Sequence, residues 1–172
     1  MNKNDPQTIW LQFQQFIASF QTAVIGSLSS DGEPEVSYAP VIQHQACFYI
    51  YISELASHTQ NLKNHPQAEL LFIEDESKTH NLFARERVRL KVIAETIPRD
   101  TDIWADIIGL FSQQHPQMMS LLTSMQDFQL LKLTPQQAHY VAGFAQTYSL
   151  TGAQLSEVQQ VMQSRLNPST KT

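Results

Sequence analysis

One cysteine, Cys47, stands in 172 residues, so no intramolecular disulfide and no cysteine-built metal site can form. It lies in an apolar run and reads as a small buried hydrophobe. Glycine is scarce, five in all, and none falls in a phosphate-cradling loop of the G-x-G-x-x-G or G-x-x-x-x-G-K type. Basic charge is short as well: 11 Lys and Arg against 16 Asp and Glu, a formal net charge of −5. That excludes the broadly basic face expected of a nucleic-acid binder. No apolar run approaches the ~18 residues of a membrane span, and the N-terminus carries no apolar leader segment. The expectation is therefore a cytoplasmic protein with neither nucleic acid nor membrane as partner. There is also no G-x-S-x-G elbow and no H-E-x-x-H pair. The six histidines (44, 58, 65, 80, 115 and 139) are dispersed, so no nucleophilic triad or histidine metal site can be argued from spacing.

What is present is a strand-rich chain of a length that suits one domain, residues 1–172, by the usual range of roughly 100–200 residues. Asp5-Pro6 opens a helix running to about residue 20. Asp supplies an N-cap acceptor, and proline at the first helical position loses nothing by lacking an N–H. Ile9, Phe13, Phe16, Ile17 and Phe20 recur at helical spacing as its core face. Residues 22–42 then read as a hairpin around Ser30-Asp31-Gly32-Glu33-Pro34, with Gly32 supplying positive φ. Pro34 and Pro40 place its second strand at a sheet edge or at bulges, because proline cannot donate to the ladder. Cys47–Ile52 is apolar or aromatic throughout and is expected to be covered on both faces. Ala68–Ile73 is the next strand. A long strand follows over residues 85–97, then a helix that Asp100 can cap and a short helix over Gln117–Leu122. Phe128–Leu133 reads as a strand ending at Thr134-Pro135. Residues 138–150 read as a strand pair or one bent strand with Gly143 at a bulge or close approach. Residues 153–166 read as an amphipathic helix before a polar tail. Strands with peripheral helices indicate a mainly β, α+β fold of the antiparallel barrel kind rather than a parallel doubly wound sheet.

Two stretches carry chemistry. The crossover Ser53–Pro66 is dense in hydroxyl, amide and imidazole groups, with Ser57 a candidate cap for a helix over Thr59–Asn64 and Ser57, His58 and Asn61 its candidate ligands. On the long strand, Arg85, Arg87, Arg89 and Lys91 alternate with Glu86, Val88, Leu90 and Val92, so period two places four cations on one face. Such a face is either solvated or a dock for phosphate or carboxylate, to which arginine presents a bidentate fork.

Val36-Ser37-Tyr38-Ala39-Pro40, Ser53–Pro66, Leu82-Phe83-Ala84-Arg85-Glu86-Arg87, Gln126-Asp127-Phe128 and Val141–Tyr148 together resemble, in order and spacing, the haem-utilisation HugZ/HutZ family. That family lies within the split-barrel group typified by pyridoxamine 5′-phosphate oxidase. The resemblance implies a six-stranded antiparallel split β-barrel working as a homodimer, with haem or FMN at the dimer interface. It implies Ser37, Tyr38, Ser57, His58, Asn61, Arg85, Arg87 and Asp127 as cofactor-binding residues. Flavin-binding members carry a Ser and a Lys on the crossover for the FMN phosphate. Here His58 stands near the lysine position, and a neutral imidazole is the weaker phosphate partner. Haem-degrading members take an iron ligand from a C-terminal histidine. This chain has none after His139, and its corresponding segment, Val161-Met162-Gln163-Ser164-Arg165, offers an arginine, which lacks a free lone pair. His58, His139 and a water remain as candidate haem-iron ligands, and Asp127 as the carboxylate that orients a ligand. The functions implied are haem binding with oxidative haem breakdown, an FMN-dependent oxidoreductase, or a non-enzymatic cofactor-binding protein.

Overall fold

The structure, a computed structural model, describes residues 5–161. Helix α1 (Pro6–Ala18) starts where the sequence places it: the Asp5 carboxylate accepts the Thr8 N–H at 3.0 Å, and Pro6 takes the first helical position. Strands β1 (Thr22–Leu28) and β2 (Pro34–Pro40) pair antiparallel around the expected turn, where Gly32 has φ +80°. β3 (Ile42–His44) and β4 (Cys47–Ser53) form the next hairpin. Helix α2 (Ser57–Asn64) leads to β5 (Gln67–Ile73), which pairs with β6 (Arg87–Ile97). Helices α3 (Asp102–Gln114) and α4 (Pro116–Leu122) precede β7 (Phe128–Gly143) and β8 (Gln146–Thr151). The α3 cap is Thr101, whose hydroxyl accepts the Trp104 N–H, rather than the neighbouring Asp100.

All strand pairs are antiparallel along the path β2-β1-β5-β6-β7-β4-β3. The path does not close, and β2, with its two prolines, is an edge, so this is a split barrel in an α+β setting. Nine strands are assigned among the described residues. The barrel interior is filled by Ile25, Ile50, Leu70, Leu90, Leu133, Ala138 and Leu150, plugged by Ile9, Phe13 and Ile17 of α1 and Leu62 of α2. A second cluster packs Tyr49, Tyr51 and Leu130 against Ile107, Ile108, Phe111 and Met119 of α3 and α4. β4 thus serves both cores, as its unbroken apolar run predicts, although Cys47 at its start is only half-buried.

Two regions differ from the sequence reading. β7 does not end at Thr134-Pro135. It runs through them, because the register with β6 shifts between Lys91 and Val92 and the bulge accommodates the proline. On one side of that point β7 pairs with β4, and on the other with β8, with a second shift before Gly143. Residues 153–166 do not begin a helix: a single turn at Ala153–Leu155 is followed by β9 (Glu157–Gln160), paired with β8. Gly152 sets this direction: its φ is +76°, and a Cβ there would lie 2.6 Å from the Glu157 side chain. The remainder of that segment, including Met162 to Arg165, lies outside the described residues.

Leu90 is fully buried and central to β6, whereas its neighbour Arg89 is exposed. Leu90→Ala is expected to cost roughly 2–5 kcal/mol, and Arg89→Ala well under 1 kcal/mol, read from denaturant midpoints.

Candidate cofactor site

The crossover is knit together by its own polar groups. Ser57 begins α2 instead of capping it: Ala56 is the N-cap residue, with no side-chain cap. The Ser57 hydroxyl donates to the carboxylate of Glu35 on β2. Asn61 Nδ2 donates to the other Glu35 oxygen at 2.9 Å and to Ser27 Oγ at 3.2 Å. Thr59, fully buried, donates to the Ser53 carbonyl at 2.6 Å. Ser53 Oγ donates to Asp127 Oδ2 at 2.6 Å, and the Glu54 N–H to the Asp127 carbonyl at 2.7 Å. Asp127 therefore fastens the end of β4 to the start of β7.

Charge follows from these contacts. Hydrogen bonds from Ser57, then Asn61, hold the Glu35 carboxyl below its ordinary range. Burial pushes the His58 imidazole pKa down, against the pull of Glu35. His58 is thus neutral at pH 7, and its Nε2 is buried without a hydrogen-bond partner.

The cations lie on the other side of the sheet. Directly paired residues share a face. Ser27 and Glu35 are paired, on the face that carries Ile25, Leu70 and Leu90 into the barrel. Arg87, Arg89 and Lys91 alternate with those inward residues and point outward. Arg89 faces Glu69 at 3.5 Å and is paired with His139 of β7, while Arg87 is paired with Val141. Arg85 is not part of this row. It precedes β6, and its guanidinium donates to the Glu74 carbonyl and to Glu76 Oε1, each at 3.0 Å. The four-cation face is a three-cation face because the strand begins two residues later than the alternating pattern. Ser37 and Tyr38 also diverge: Ser37 Oγ is buried and unpartnered, while Tyr38 is 69% exposed beside Val36 at 74%. Hence Ser57, Asn61 and His58 meet Glu35 on the inner side, and Arg87, Arg89, His139 and Tyr38 occupy the outer side. Within one chain the two sets do not converge. The sequence reading missed Glu35; its inward parity with Ser37 and Ala39 was the available signal.

The pyridoxamine 5′-phosphate oxidase family model matches residues 9–142. Haem oxygenase HutZ of Vibrio cholerae is 33% identical over 144 residues, 84% of this chain and 82% of that protein. The chain belongs to the pyridoxamine 5′-phosphate oxidase family, in its HutZ branch. A solved structure of Vibrio cholerae HutZ, described as a haem storage protein, aligns with TM-score 0.69 and 32% identity over 73% of this chain and 89% of that one. Campylobacter jejuni ChuZ aligns with TM-score 0.81 and 32% identity over 90% of this chain and 63% of that one.

For a member of this family, the residues present fit haem better than FMN. The hydroxyl and amide of the crossover that would hold a phosphate already bind a carboxylate, and a second anion there meets like charge. The outer face offers what a flat apolar dicarboxylate needs: Arg87 and Arg89 for carboxylates, the His139 imidazole as a nitrogen donor, and exposed Val36 and Tyr38 as apolar surface.

Because the Glu35 pKa is depressed on folding, its contribution to stability is present above the unfolded value of about 4.3 and is lost as pH falls through the folded value. Glu35→Gln is therefore expected to melt below the parent at neutral pH and to converge with it only as pH falls below the ordinary carboxylate range and through the depressed folded value, where both carry a neutral side chain. Thermal unfolding across that range checks it.

Proposed function

We propose that this protein binds haem in the service of iron use, as a homodimer joined through the outer face of the sheet, with the haem at that interface. The observation that carries the choice of haem over FMN is the Glu35 carboxylate seated on Ser57 and Asn61. The relatedness to HutZ supports the reading, since that relative is named a haem oxygenase. The exposed apolar residues Leu28, Val36 and Ile93, which line one hollow with Glu69 and Lys91, and Tyr38, exposed on the same outer face, support the interface.

The roles divide by side. Arg87 and Arg89 neutralise the haem propionates. His139, on the open face, supplies the nitrogen toward iron, whereas His58 Nε2 is enclosed and its neighbour is the Glu35 carboxylate. Asp127, bound to Ser53, holds the β4–α2 corner in place. When bound, haem supplies the iron centre for oxygen chemistry, with electrons from an external donor. Oxidative haem breakdown is the activity this reading assigns.

Titration with haemin is expected to give a saturable Soret change. His139→Ala should shift the band and weaken binding at least tenfold, about 1.4 kcal/mol, while His58→Ala leaves the band in place. A titration without saturation, or stoichiometric FMN retention instead, overturns the haem reading. The dimer is checked by sedimentation: Val36→Glu with Tyr38→Glu should yield monomers, and an unchanged dimer would rule out this face.

A further inference from the structure

A second polar pocket lies on the inner side of β6, away from the cationic face. It is open, about 430 Å³, with Glu86 and Tyr140 at its base, Gln12, Gln15 and Phe16 of α1 on one wall, and Ala142 and Gln146 on the other. The Tyr140 ring is 1% exposed, and its hydroxyl donates to Glu86 Oε1. Burial pushes the phenol pKa up, so the hydroxyl keeps its proton and remains a donor.

Glu86 is a half-buried carboxyl without a counterion among the described residues. The two arginines that flank it in sequence are turned elsewhere: Arg85 to Glu74 and Glu76, and Arg87 Nη1 to the Arg85 carbonyl at 2.9 Å. No ion pair to Glu86 is formed among the described residues. Burial raises its pKa, the Tyr140 hydrogen bond opposes this, and nearby Glu74 adds to the rise. A carboxyl in that position is stabilised in its ionised form by any cation that reaches it. The surrounding wall selects the kind of cation. Three carboxamide oxygens can accept hydrogen bonds. Phe16, half-buried on α1, provides aromatic surface of the type that attracts organic cations. No group of three or more metal-ligating side chains is found among the described residues, so a bare metal ion is poorly served.

We infer that this pocket binds a small organic cation, a primary ammonium or a guanidinium, through the Glu86 carboxylate and the carboxamides of Gln12, Gln15 and Gln146. The carboxylate takes the charge-assisted hydrogen bonds, the carboxamides the remaining N–H groups, and the alkyl part rests on Phe16. The site stands on different residues from the haem face and needs no haem.

The test uses butylammonium and methylguanidinium as probes of the intact protein, with butanol as the uncharged control. Side-chain amide NMR signals of Gln12, Gln15 and Gln146 are expected to move saturably with either cation and not with butanol. Glu86→Gln should weaken the effect at least tenfold. Gln146→Lys, which delivers an ammonium to the pocket from the protein itself, should abolish probe binding while the fold is retained. It serves where Glu86→Gln fails to fold. Absence of a saturable shift in the parent protein, equal shifts with butanol, or undiminished shifts in a folded Glu86→Gln or Gln146→Lys variant would overturn the inference.

Discussion

The structure depends on the two-residue period of β6 and its pairing with β7. A strand in a barrel wall must satisfy two solvents at once, and the pleat leaves it no choice of assignment. Val88, Leu90, Val92 and Ala94 fill the interior, and the residues between them must therefore face outward. A one-residue slip would drive Arg87, Arg89 and Lys91 into the barrel, where an unpaired charge costs several kcal/mol or more. The register is thus fixed by what cannot be buried as much as by what can. β5 and β7 inherit it, and with it His139 is placed beside Arg89. The bulge at Gln136 of β7, beside Pro135, is the one interruption of the β6–β7 register, and it lets a single strand connect the half of the sheet paired to β4 with the half paired to β8.

The crossover solves a related problem at the mouth of the barrel. A short helix between two buried strands must bring polar backbone and side chains near the core, where each unpaired group carries a desolvation penalty of about 1–3 kcal/mol. Here Thr59 reaches back to Ser53, Ser53 reaches Asp127, and Asn61 bridges Ser27 and Glu35. Apart from His58 Nε2, these polar groups are taken up by bonds within the stretch or to Ser27, Glu35 and Asp127 beside it. Glu35 plays the part of a resident anion, held on the hydroxyl of Ser57 and the amide of Asn61.

Features governed by local sequence were legible before the fold was seen. The N-cap at Asp5, the Gly32 turn, the edge character of a strand bounded by Pro34 and Pro40, and the double burial of β4 each follow from a few adjacent residues. Features governed by register were not. Nothing local marks Thr134-Pro135 as mid-strand, because the bulge that tolerates proline depends on the partner strand. Leu155, Val158 and Val161 match a helical face, yet Gly152 and pairing with β8 extend the chain there. Arg85 continued the alternating pattern on paper, but the strand starts at Arg87. For the site, the residue types were readable and their grouping was not. Ser57 and Asn61 were visible as donors, while their acceptor Glu35 lies more than twenty residues earlier and is brought to them only by the β1–β2 register.

The same strand start explains why side chains of opposite charge can stand a residue apart without pairing. At the entry of β6, Glu86 turns inward to Tyr140, and Arg87 turns outward to the row it shares with Arg89 and Lys91. Were both side chains on one face, they would form an ion pair and neutralise each other. Separated by the sheet, each keeps its charge uncompensated by the other, one toward α1 and one toward the open face. Flat sheets normally spend one face on the core alone. Here the core ends where α1 leaves the barrel rim uncovered, and the inward face acquires polar chemistry at that point, above the buried Phe13 and Tyr140 rings. Acidity on the inner side and basicity on the outer side are therefore two consequences of one pleat.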